Sequence, residues 1–300
     1  MYNNSNIMSE IVNCSGSSSP SLNKCFIGGC VMNCEHYLDK IFNNFKLIGG
    51  LFDDIRVIIA YDASHDNSLE KCYEYQRRFA ELEKPILVDI IINKNIRSSY
   101  RAENIGNARN MVLERAKKYK NVDVDDEWKY FIMSDTDSEC CHDMNLDVLQ
   151  KYLVRGDWDG LSFNRINYYD IWALAYNPFY FSCWHWHDQN LWMDVRNDIS
   201  LRLANMDKES LFDCYSAFNG FAIYRLSKFL NCHYDFRQAY NYMDDELIKV
   251  NDDFFRTRTT RMTGEHNNNE DCEHKHFHLQ ATALNGARIR ISPLCFFRGT

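Results

Sequence analysis

Between residues 25 and 134, short apolar segments alternate with amphipathic ones, and this alternation restricts the fold more than any other feature of the sequence. The apolar segments have the length of strands and contain at most one charged residue each: residues 25–32, 55–61, 86–92 and 129–134. The segments between them place apolar residues at helical spacing, over residues 35–45, 68–82 and 102–119. Strands that are apolar on both faces and alternate with helices are typical of a mostly parallel sheet covered on both sides. The sequence therefore predicts a doubly wound α/β fold.

The rest of the chain continues the sheet in a less regular way. Strand-like segments recur at residues 158–163, 220–225 and 287–292, and long stretches rich in aromatic residues separate them. The chain has 300 residues, a length that suits either two domains or one large α/β domain, and no repeat period divides it. Residues 1–24 are polar and rich in Asn and Ser, which predicts a flexible tail. We therefore expect one domain over residues 25–300, with an elaborated second half.

The charge and the cysteine content exclude several classes of protein. Asp and Glu outnumber Lys and Arg by 42 to 34, a formal net charge of −8, so no excess of positive charge is available to bind nucleic acid. No apolar run approaches the ~20 residues of a membrane span, and no secretory leader is recognisable at the start of the sequence. Twelve cysteines in 300 residues are too few for a disulfide-stapled secreted module. We expect free thiols and a cytoplasmic location.

Two groups of carboxylates follow predicted strands, at the edge where open α/β sheets bind their ligands. Asp135-Thr136-Asp137 comes directly after the strand at 129–134, and Asp62 and Asp66 follow the strand at 55–61. Two carboxylates one residue apart can converge on Mn²⁺ or Mg²⁺, which prefer oxygen ligands and complete their shell with phosphate oxygens. The alternative for this pair is a solvated turn. Asp62 can accept hydrogen bonds from a nucleobase or a ribose, whereas Asp66 suits either a ligand or the N-terminal cap of the next helix.

Two arginines lie on the third predicted helix, near the same edge of the sheet. Arg101 opens this segment, and Arg109 lies one residue from its apolar stripe. The planar guanidinium group of Arg109 can reach a phosphate with two hydrogen bonds. The alternative is a salt bridge on a solvated helix face. Both arginines are therefore candidates for binding an anionic ligand.

In this order and spacing, the motifs resemble the nucleotide-sugar half of the GT-A-fold glycosyltransferases. The resemblance rests on Asp62 and Asp66 after one strand, on Ala108-Arg109-Asn110, and on the Asp-x-Asp motif Asp135-Thr136-Asp137. Four downstream segments are similar to the fungal capsule-associated mannosyltransferase type and to its relatives in large DNA viruses: residues 158–163, 168–174, 216–220 and 272–274. The similarity extends over residues 26–293. It implies a GT-A (Rossmann-like) single domain with a donor half over residues 25–140 and an acceptor half over residues 141–300.

The resemblance also implies an activity, the transfer of a sugar from a nucleoside-diphosphate-sugar donor to a hydroxyl group of a glycan or glycoprotein acceptor. The Asp-x-Asp pair would hold a Mn²⁺ or Mg²⁺ ion, with Asp137 as the more direct ligand and Asp135 turned toward the ribose. The donor site would comprise Asp62, Asp66, Arg101, Arg109, Asp135, Asn219 and Gly220. A glycine in such a site lets the backbone approach a ligand closely. A viral origin would place the protein in the host cytoplasm or in the virion.

A segment near the C-terminus matters most for the mechanism, because sugar transfer needs a carboxylate that takes the proton of the acceptor hydroxyl. Asp271 and Glu273 are both candidates for this base, and the resemblance favours Glu273. It also implies that His274 is an additional ligand of the metal. A structural zinc site competes with this interpretation, because His274, His276 and His278 would share one face of a strand, whereas His274 and His278 would pair on a helix. The sequence leaves open whether transfer inverts or retains the anomeric configuration.

Aromatic residues cluster between the two halves of the chain. Trp184 and Trp186 could stack on the C–H faces of an acceptor saccharide, or they could pack in the core. Cys183, His185 and His187 form a second alternating group of metal-ligating residue types among them. We therefore expect Trp184 and Trp186 in the acceptor site.

Two other functions compete with sugar transfer. An inactive relative that binds a saccharide or a protein partner would keep the fold without the reaction, and it would bind its saccharide without metal. A sugar nucleotidyltransferase would use a similar acidic metal site, but such enzymes usually begin with a basic, Gly-rich phosphate loop. The glycines at Gly28-Gly29 have no basic residue beside them, which disfavours this class. The donor sugar, its base, the acceptor and the oligomeric state are not determined by the sequence.

Overall fold

The computed structural model describes residues 23–122, 128–179, 191–237, 239–256 and 270–299. Strands and helices alternate strictly in the first half: β1 (Lys24–Val31), α1 (Glu35–Gly49), β2 (Ile55–Tyr61), α2 (Ser68–Ala80), β3 (Leu87–Ile92), α3 (Arg101–Val122) and β4 (Trp128–Ser134). The second half contains α4 (Leu146–Leu153), β5 (Gly160–Asn164), α5 (Leu191–Asn205), β6 (Phe212–Cys214), β7 (Phe221–Arg225), α6 (Asp245–Arg256), α7 (Glu273–Asn285) and β8 (Ile289–Cys295). The first half therefore has the strand–helix order that the sequence predicts.

All the strands of the described residues belong to one sheet, in the order β3-β2-β1-β4-β7-β5-β8-β6. Neighbours are parallel within the block β3-β2-β1-β4, and β5 is parallel to β8. β7 runs antiparallel to both β4 and β5, and β6 runs antiparallel to β8. The predicted α/β single domain is confirmed, and β7 is the strand that joins the two halves into one mixed sheet.

The carboxyl ends of β1, β2 and β4 lie at one edge of the sheet because the three strands are parallel and in register. Val31 is paired with Tyr61, and Gly29 is paired with Ser134. β7 is antiparallel and begins at this edge, so its first residue, Phe221, is paired with Ser134 at the end of β4. Residues that follow β1, β2 and β4 therefore meet residues that precede β7.

Two hydrophobic cores cover the two faces of the sheet. Successive residues of β1 point to opposite faces, so Phe26 packs in one core while Cys25 and Ile27 pack in the other. Helices α3, α5 and α7 contribute to the core that contains Phe26, and α1, α2 and α4 contribute to the second core. Gly28 faces α3 at such close range that a Cβ atom there would lie 2.4 Å from Val112 Cγ1. The predicted helices on both faces of the sheet are confirmed.

The second half and the start of the domain differ from the expectations. The segment that contains Asp271 and Glu273 leads into the helix α7, so the strand alternative for its three histidines is wrong. β1 begins at Lys24, the last residue of the predicted tail, and residues 1–22 lie outside the described residues. None of the described helices combines the length and the apolar composition that crossing a bilayer requires.

Candidate active site

A cleft with a volume of about 300 Å³ opens at the edge of the sheet where β1, β2 and β4 end. Its walls combine carboxylates from both halves of the chain with guanidinium groups from the first half. Among the described residues, the carboxylates that line it are Asp62, Asp135, Asp137, Asp170 and Glu273, and the arginines are Arg97, Arg101 and Arg109. The volume is at the lower end of the range for small-molecule sites. This cleft, in which acidic side chains exceed basic ones, is the candidate active site.

Asp135 follows the last residue of β4 and is held by contacts of both its main chain and its side chain. Its N–H donates to the carbonyl oxygen of Gly220 at 2.8 Å. Its carboxylate accepts hydrogen bonds from Arg109 Nη2 at 2.8 Å and from the Tyr169 hydroxyl at 3.2 Å. Burial raises the pKa of Asp135 to about 7, although the charge of Arg109 opposes this shift. A buried carboxylate whose charge is only partly compensated would be stabilised by a further cation.

Asp137 borders the same cleft but is exposed to solvent. Its Oδ1 accepts a hydrogen bond from the Glu139 N–H at 3.0 Å and so caps the short 3₁₀ turn that follows β4. Thr136, between the two aspartates, donates its hydroxyl hydrogen to the carbonyl oxygen of Cys30. All three residues of the motif line the cleft. The motif therefore belongs to a concave site and is not an isolated solvated turn.

Arg109, on α3, is the central cation of the site. It is 6% exposed, and its Nη1 contacts Glu273 Oε1 and His274 Nε2. Its Nη2 donates to Asp135, and the guanidinium group lies 4.7 Å from the centre of the Phe218 ring. Burial acts to lower the pKa of Arg109, but the charges of Glu273 and Asp135 outweigh it and hold this pKa well above its usual value. The sequence-based alternative of a salt bridge on a solvated helix face is wrong, since Arg109 is buried and pairs with one buried and one partly buried carboxylate.

Glu273 borders the cleft, whereas Asp271 is not among the residues that line it. Glu273 is the first residue of α7, is 3% exposed, and is ion-paired with Arg109. The Asp271 carboxylate instead accepts a hydrogen bond from the Cys272 N–H at 2.7 Å and lies 3.6 Å from the buried Nζ of Lys275. Of the two acids considered as the base, Glu273 is therefore the one beside a molecule in the cleft.

His274 also lines the cleft, and its ring stacks on that of Phe218 with the centroids 3.6 Å apart. Burial lowers the pKa of His274 well below its usual value, so the ring is neutral near pH 7. Its Nδ1 is buried without a hydrogen-bond partner among the described residues. The ring nitrogens of His278, by contrast, contact the hydroxyl groups of Ser216 at 2.9 Å and Tyr224 at 3.0 Å. A zinc ion shared by His274 and His278 would break these hydrogen bonds, so the geometry disfavours that alternative.

Asp62 and Asp66 both follow β2 but have different surroundings. Asp62 lines the cleft, where its Oδ2 lies 3.7 Å from Arg97 Nη1. Asp66 is not among the lining residues, and its two oxygens accept hydrogen bonds from the main-chain N–H groups of Ser68 at 3.1 Å and Glu35 at 3.0 Å. These are the first residues of α2 and α1, so one carboxylate serves two helix N-termini. The structure therefore favours the capping alternative for Asp66 over contact with a donor.

Asn219 and Gly220 precede β7 and shape the cleft without lining it. Both have left-handed backbone conformations, with φ angles of 55° and 86°. Asn219 Oδ1 accepts hydrogen bonds from the N–H groups of Tyr169 and Asp170, each at 3.3 Å. A Cβ atom on Gly220 would lie 2.7 Å from the Tyr169 hydroxyl. These residues therefore position Tyr169 and Asp135 around the cleft, and their direct contact with a donor stays a prediction.

Three further predicted residues have simpler outcomes. Arg101, at the start of α3, lines the cleft and is exposed. Trp184 and Trp186 lie outside the described residues, so the acceptor platform stays a prediction. The neighbouring group of Cys183, His185 and His187 lies outside them as well.

Asp170 and Arg97 line the cleft but were not singled out by the motifs. The Asp170 carboxylate accepts hydrogen bonds from the N–H groups of Ala173 at 3.1 Å and Asn219 at 3.3 Å, and burial raises its pKa. Asp170 lies six residues after the end of β5 at Asn164, too far for a strand end to indicate it. Arg97 lies in the loop between β3 and α3, so its position relative to a strand end does not identify it as a site residue either.

Comparisons with known proteins give structural likeness only. No protein-family profile matches this chain, and no curated protein matches it significantly. Of the solved structures that align with it, S. aureus TarS in complex with UDP is 14% identical, with 91% of this chain and 59% of that chain covered and a TM-score of 0.44. The mannosyltransferase PcManGT from Pyrobaculum calidifontis, in complex with GDP-Man and Mn²⁺, is 12% identical, with 71% and 48% covered and a TM-score of 0.41.

A third alignment is with glucosyl-3-phosphoglycerate synthase from Mycobacterium tuberculosis, in complex with Mn²⁺, UDP and glucosyl-3-phosphoglycerate. It is 10% identical, covers 69% of this chain and 58% of that chain, and has a TM-score of 0.36. This chain spans only 36% of a longer structure of TarS and less than two thirds of each of the others. Likeness at this level carries no argument about activity.

Proposed function

We propose that this protein is a metal-dependent glycosyltransferase of the GT-A type, which moves a sugar from a nucleoside-diphosphate-sugar donor to a hydroxyl group of a glycan or glycoprotein. One observation carries the proposal. The Asp135-Thr136-Asp137 motif, which leaves a buried strand, shares a cleft with the buried pair of Glu273 and Arg109. A pair of carboxylates for a cation and a further carboxylate for a proton are the groups that this reaction needs.

The donor atoms in the cleft fit a hard divalent cation. Asp135 and Asp137 offer carboxylate oxygens, the ligand type that Mn²⁺ and Mg²⁺ accept. His274 could add a ring nitrogen only by giving up the contact of its Nε2 with Arg109, because a neutral imidazole that accepts there carries its proton on Nδ1. The carboxylates of the cleft outnumber its arginines by five to three among the described residues, so added positive charge would favour the binding of an anionic diphosphate. When bound, the cation would neutralise the charge that develops on the departing diphosphate.

Glu273 is the residue best placed to take the acceptor proton. In the transfer step, the acceptor oxygen forms a bond to the anomeric carbon while the bond from that carbon to the diphosphate breaks. The diphosphate leaves with the bonding electrons, and Glu273 receives the hydroxyl proton. Arg109 fixes the orientation of Glu273 through their buried ion pair. The same guanidinium group holds Asp135, so α3 aligns the base with the metal-binding motif.

Nucleotide binding tests this proposal. The full chain is titrated with UDP, GDP and CDP with and without Mn²⁺, and thermal stability is recorded. A nucleotide at about 100 times its dissociation constant stabilises the folded state by about 2.7 kcal/mol, which corresponds to a shift of a few degrees. We expect a Mn²⁺-dependent shift with one base that Asp137→Ala abolishes.

The matched control is Asp147→Ala, which removes an exposed aspartate from the first turn of α4, outside the cleft. It should shift with nucleotide and Mn²⁺ as the wild type does. An Asp137→Ala variant that binds nucleotide with unchanged Mn²⁺ dependence would contradict the metal role of the motif.

A saccharide-binding protein without turnover is the second candidate, and one observation favours it. One oxygen of the Glu273 carboxylate is already engaged by the buried Arg109 and is not free to contact an acceptor hydroxyl. Such a protein would bind its saccharide equally well without metal and in the Asp137→Ala variant. It would release no free sugar or diphosphate from any donor.

A further inference from the structure

A group of metal-ligating side chains lies outside the cleft, where a loop packs against α7. His233 and Asp235 belong to the loop that follows β7, and His276 belongs to α7. Each offers one nitrogen or oxygen atom, and these three atoms lie within 4.8 Å of one another. We propose that His233, Asp235 and His276 form a structural site for Zn²⁺, separate from the cation site proposed at the Asp-x-Asp motif.

The helical geometry of α7 separates the two sites. Residues two apart on a helix point in widely different directions, so His274 and His276 face different surroundings. His274 is directed to the cleft, whereas the ring of His276 packs against His233, with centroids 5.0 Å apart, and against Tyr242, with centroids 5.2 Å apart. None of the three proposed ligands lines the cleft. The group is therefore a second site on the opposite side of the helix.

The residue types select the metal. Two imidazoles and one carboxylate form a mixed nitrogen and oxygen set, which suits Zn²⁺ better than Mg²⁺ or Ca²⁺. Bonds of about 2.0–2.1 Å in a tetrahedral site place neighbouring ligand atoms ~3.4 Å apart. His233 Nε2 lies 4.0 Å from Asp235 Oδ2, so a small rotation of the half-exposed His233 side chain brings them to that spacing. Water would supply the fourth ligand on the exposed side.

His276 provides an independent reason to expect a ligand here. The residue is 8% exposed, and its Nδ1 is buried without a hydrogen-bond partner among the described residues. An unsatisfied buried polar atom is costly, and such atoms are uncommon in folded proteins. A metal ion bound at Nδ1 of His276 would give this atom a partner.

The surroundings already orient the other two ligands. Arg237 Nε donates to Asp235 Oδ1 at 3.0 Å and to Oδ2 at 3.1 Å, and Arg237 Nη2 donates to Oδ2 at 2.5 Å. Because the Arg237 side chain is exposed, it can keep its contact with one oxygen when the other oxygen binds metal. Gln280 Oε1 accepts a hydrogen bond from the His233 N–H at 2.8 Å, and its Nε2 lies 3.3 Å from His233 Nδ1. His233 Nε2 makes no contact with Gln280, so it is the ring nitrogen that can bind the metal once the ring proton lies on Nδ1. The proton on Nδ1 would then donate to Gln280 Oε1 once the side-chain amide of Gln280 has flipped. The hydrogen bond from the His233 main-chain N–H to Oε1 would be lost in exchange.

The test measures Zn²⁺ and Co²⁺ binding to the full chain in the Asp137→Ala background, so that the proposed cation site of the cleft does not contribute. We expect one Zn²⁺ per chain by competition with a chromogenic chelator, and the visible absorption bands of tetrahedral Co²⁺. His233→Ala should weaken Zn²⁺ binding at least about tenfold, because loss of even an outer partner of a metal ligand costs about 10–100-fold. The Co²⁺ bands should disappear in the same variant.

His36→Ala is the matched control, since His36 is an exposed histidine on α1 that belongs neither to the cleft nor to the proposed zinc site. It should bind Zn²⁺ like its parent. Unchanged Zn²⁺ affinity in His233→Ala, or no Zn²⁺ binding in the Asp137→Ala parent, would overturn the proposal. Because the parent already lacks Asp137, either result leaves the glycosyltransferase proposal to its own test.

Discussion

Arg109 shows how one residue organises the candidate active site. Its single charge is shared between Asp135 at the end of β4 and Glu273 at the start of α7, so residues 26 and 164 positions away in the chain converge on it. All the charged groups of this contact are largely buried, and removing one partner of a buried ion pair costs about 3–5 kcal/mol. The site is therefore held in place by the same interactions that hold α3, β4 and α7 together.

The choice between the two candidate bases gives a prediction at this scale. Glu273→Gln should keep Mn²⁺-dependent nucleotide binding and lose sugar transfer by about 10²–10⁴-fold, because it removes the proton acceptor beside the cleft. Arg109 keeps Asp135 as an ionic partner in this variant, so the fold should persist. Donor binding by calorimetry and product formation with a saccharide acceptor measure the two effects.

Asp271→Asn is the control for that prediction. It should leave the transfer rate nearly unchanged and lower the free energy of unfolding by about 3 kcal/mol, because Lys275 loses its buried ionic partner. Full transfer activity in Glu273→Gln, or its loss in a folded Asp271→Asn protein, would exclude Glu273 as the base.

At the scale of elements, the close packing of α3 on β1 sets where Arg109 lies. Gly28 is the point of contact, because its missing side chain lets Val112 of α3 approach the strand. Ala108 and Val112 belong to the apolar face that packs on the sheet, and Arg109 follows Ala108 directly at the sheet edge. A displacement of α3 would therefore move the guanidinium group away from both of its carboxylates.

Substitution of Gly28 tests this packing. Gly28→Ala should lower the free energy of unfolding by about 1–3 kcal/mol, because the added methyl group has no room beside Val112 Cγ1. The double variant Gly28→Ala, Val112→Ala should be more stable than the sum of the single effects predicts, since the second change makes room for the first. Urea denaturation of the four proteins gives the coupling energy. Gly156→Ala is the control and should leave the free energy of unfolding nearly unchanged, because a Cβ atom there meets nothing within 4 Å. If the effects of Gly28→Ala and Val112→Ala on the free energy of unfolding were additive, the contact between the two residues would be contradicted.

At the scale of the molecule, the position of β7 makes the two halves one folding unit. The parallel block of the first half ends at β4, and the second half attaches to it through the antiparallel pairing of β7 with β4. Both hydrophobic cores contain residues of both halves. The two halves of the chain therefore belong to a single sheet, and both contribute residues to the cleft.

This architecture predicts cooperative unfolding. Far-UV circular dichroism and tryptophan fluorescence should give coincident urea transitions with one midpoint, since Trp128 lies on β4 and Trp158 lies just before β5 in the shared sheet. A chain truncated after residue 140 should show no cooperative transition, because β4 then lacks its neighbour β7. Two separated transitions in the full chain would indicate that the halves fold independently.

The local structure of the first half, and the edge of the sheet where a ligand would bind, can be predicted from the sequence alone. Apolar strands and amphipathic helices are encoded by periodicity within each segment, so β1 to β4 and α1 to α3 follow from residues that are near one another in the chain. The placement of Asp62, Asp135 and Asp137 at one edge follows equally, because parallel strands must end together.

Which of these residues share the cleft, and what each one contacts, depends on the three-dimensional packing of the chain. Asp66 and Asp62 look alike in sequence, but the amino terminus of α1 engages Asp66 and leaves Asp62 at the cleft. Glu273 and Asp271 differ in their contacts because α7 begins at Glu273, after Asp271. Asn219 shapes the cleft through a left-handed backbone conformation, which the hydrophobic periodicity of the sequence does not indicate. These outcomes depend on contacts between residues far apart in the chain, and the pattern of a single sequence records only neighbours.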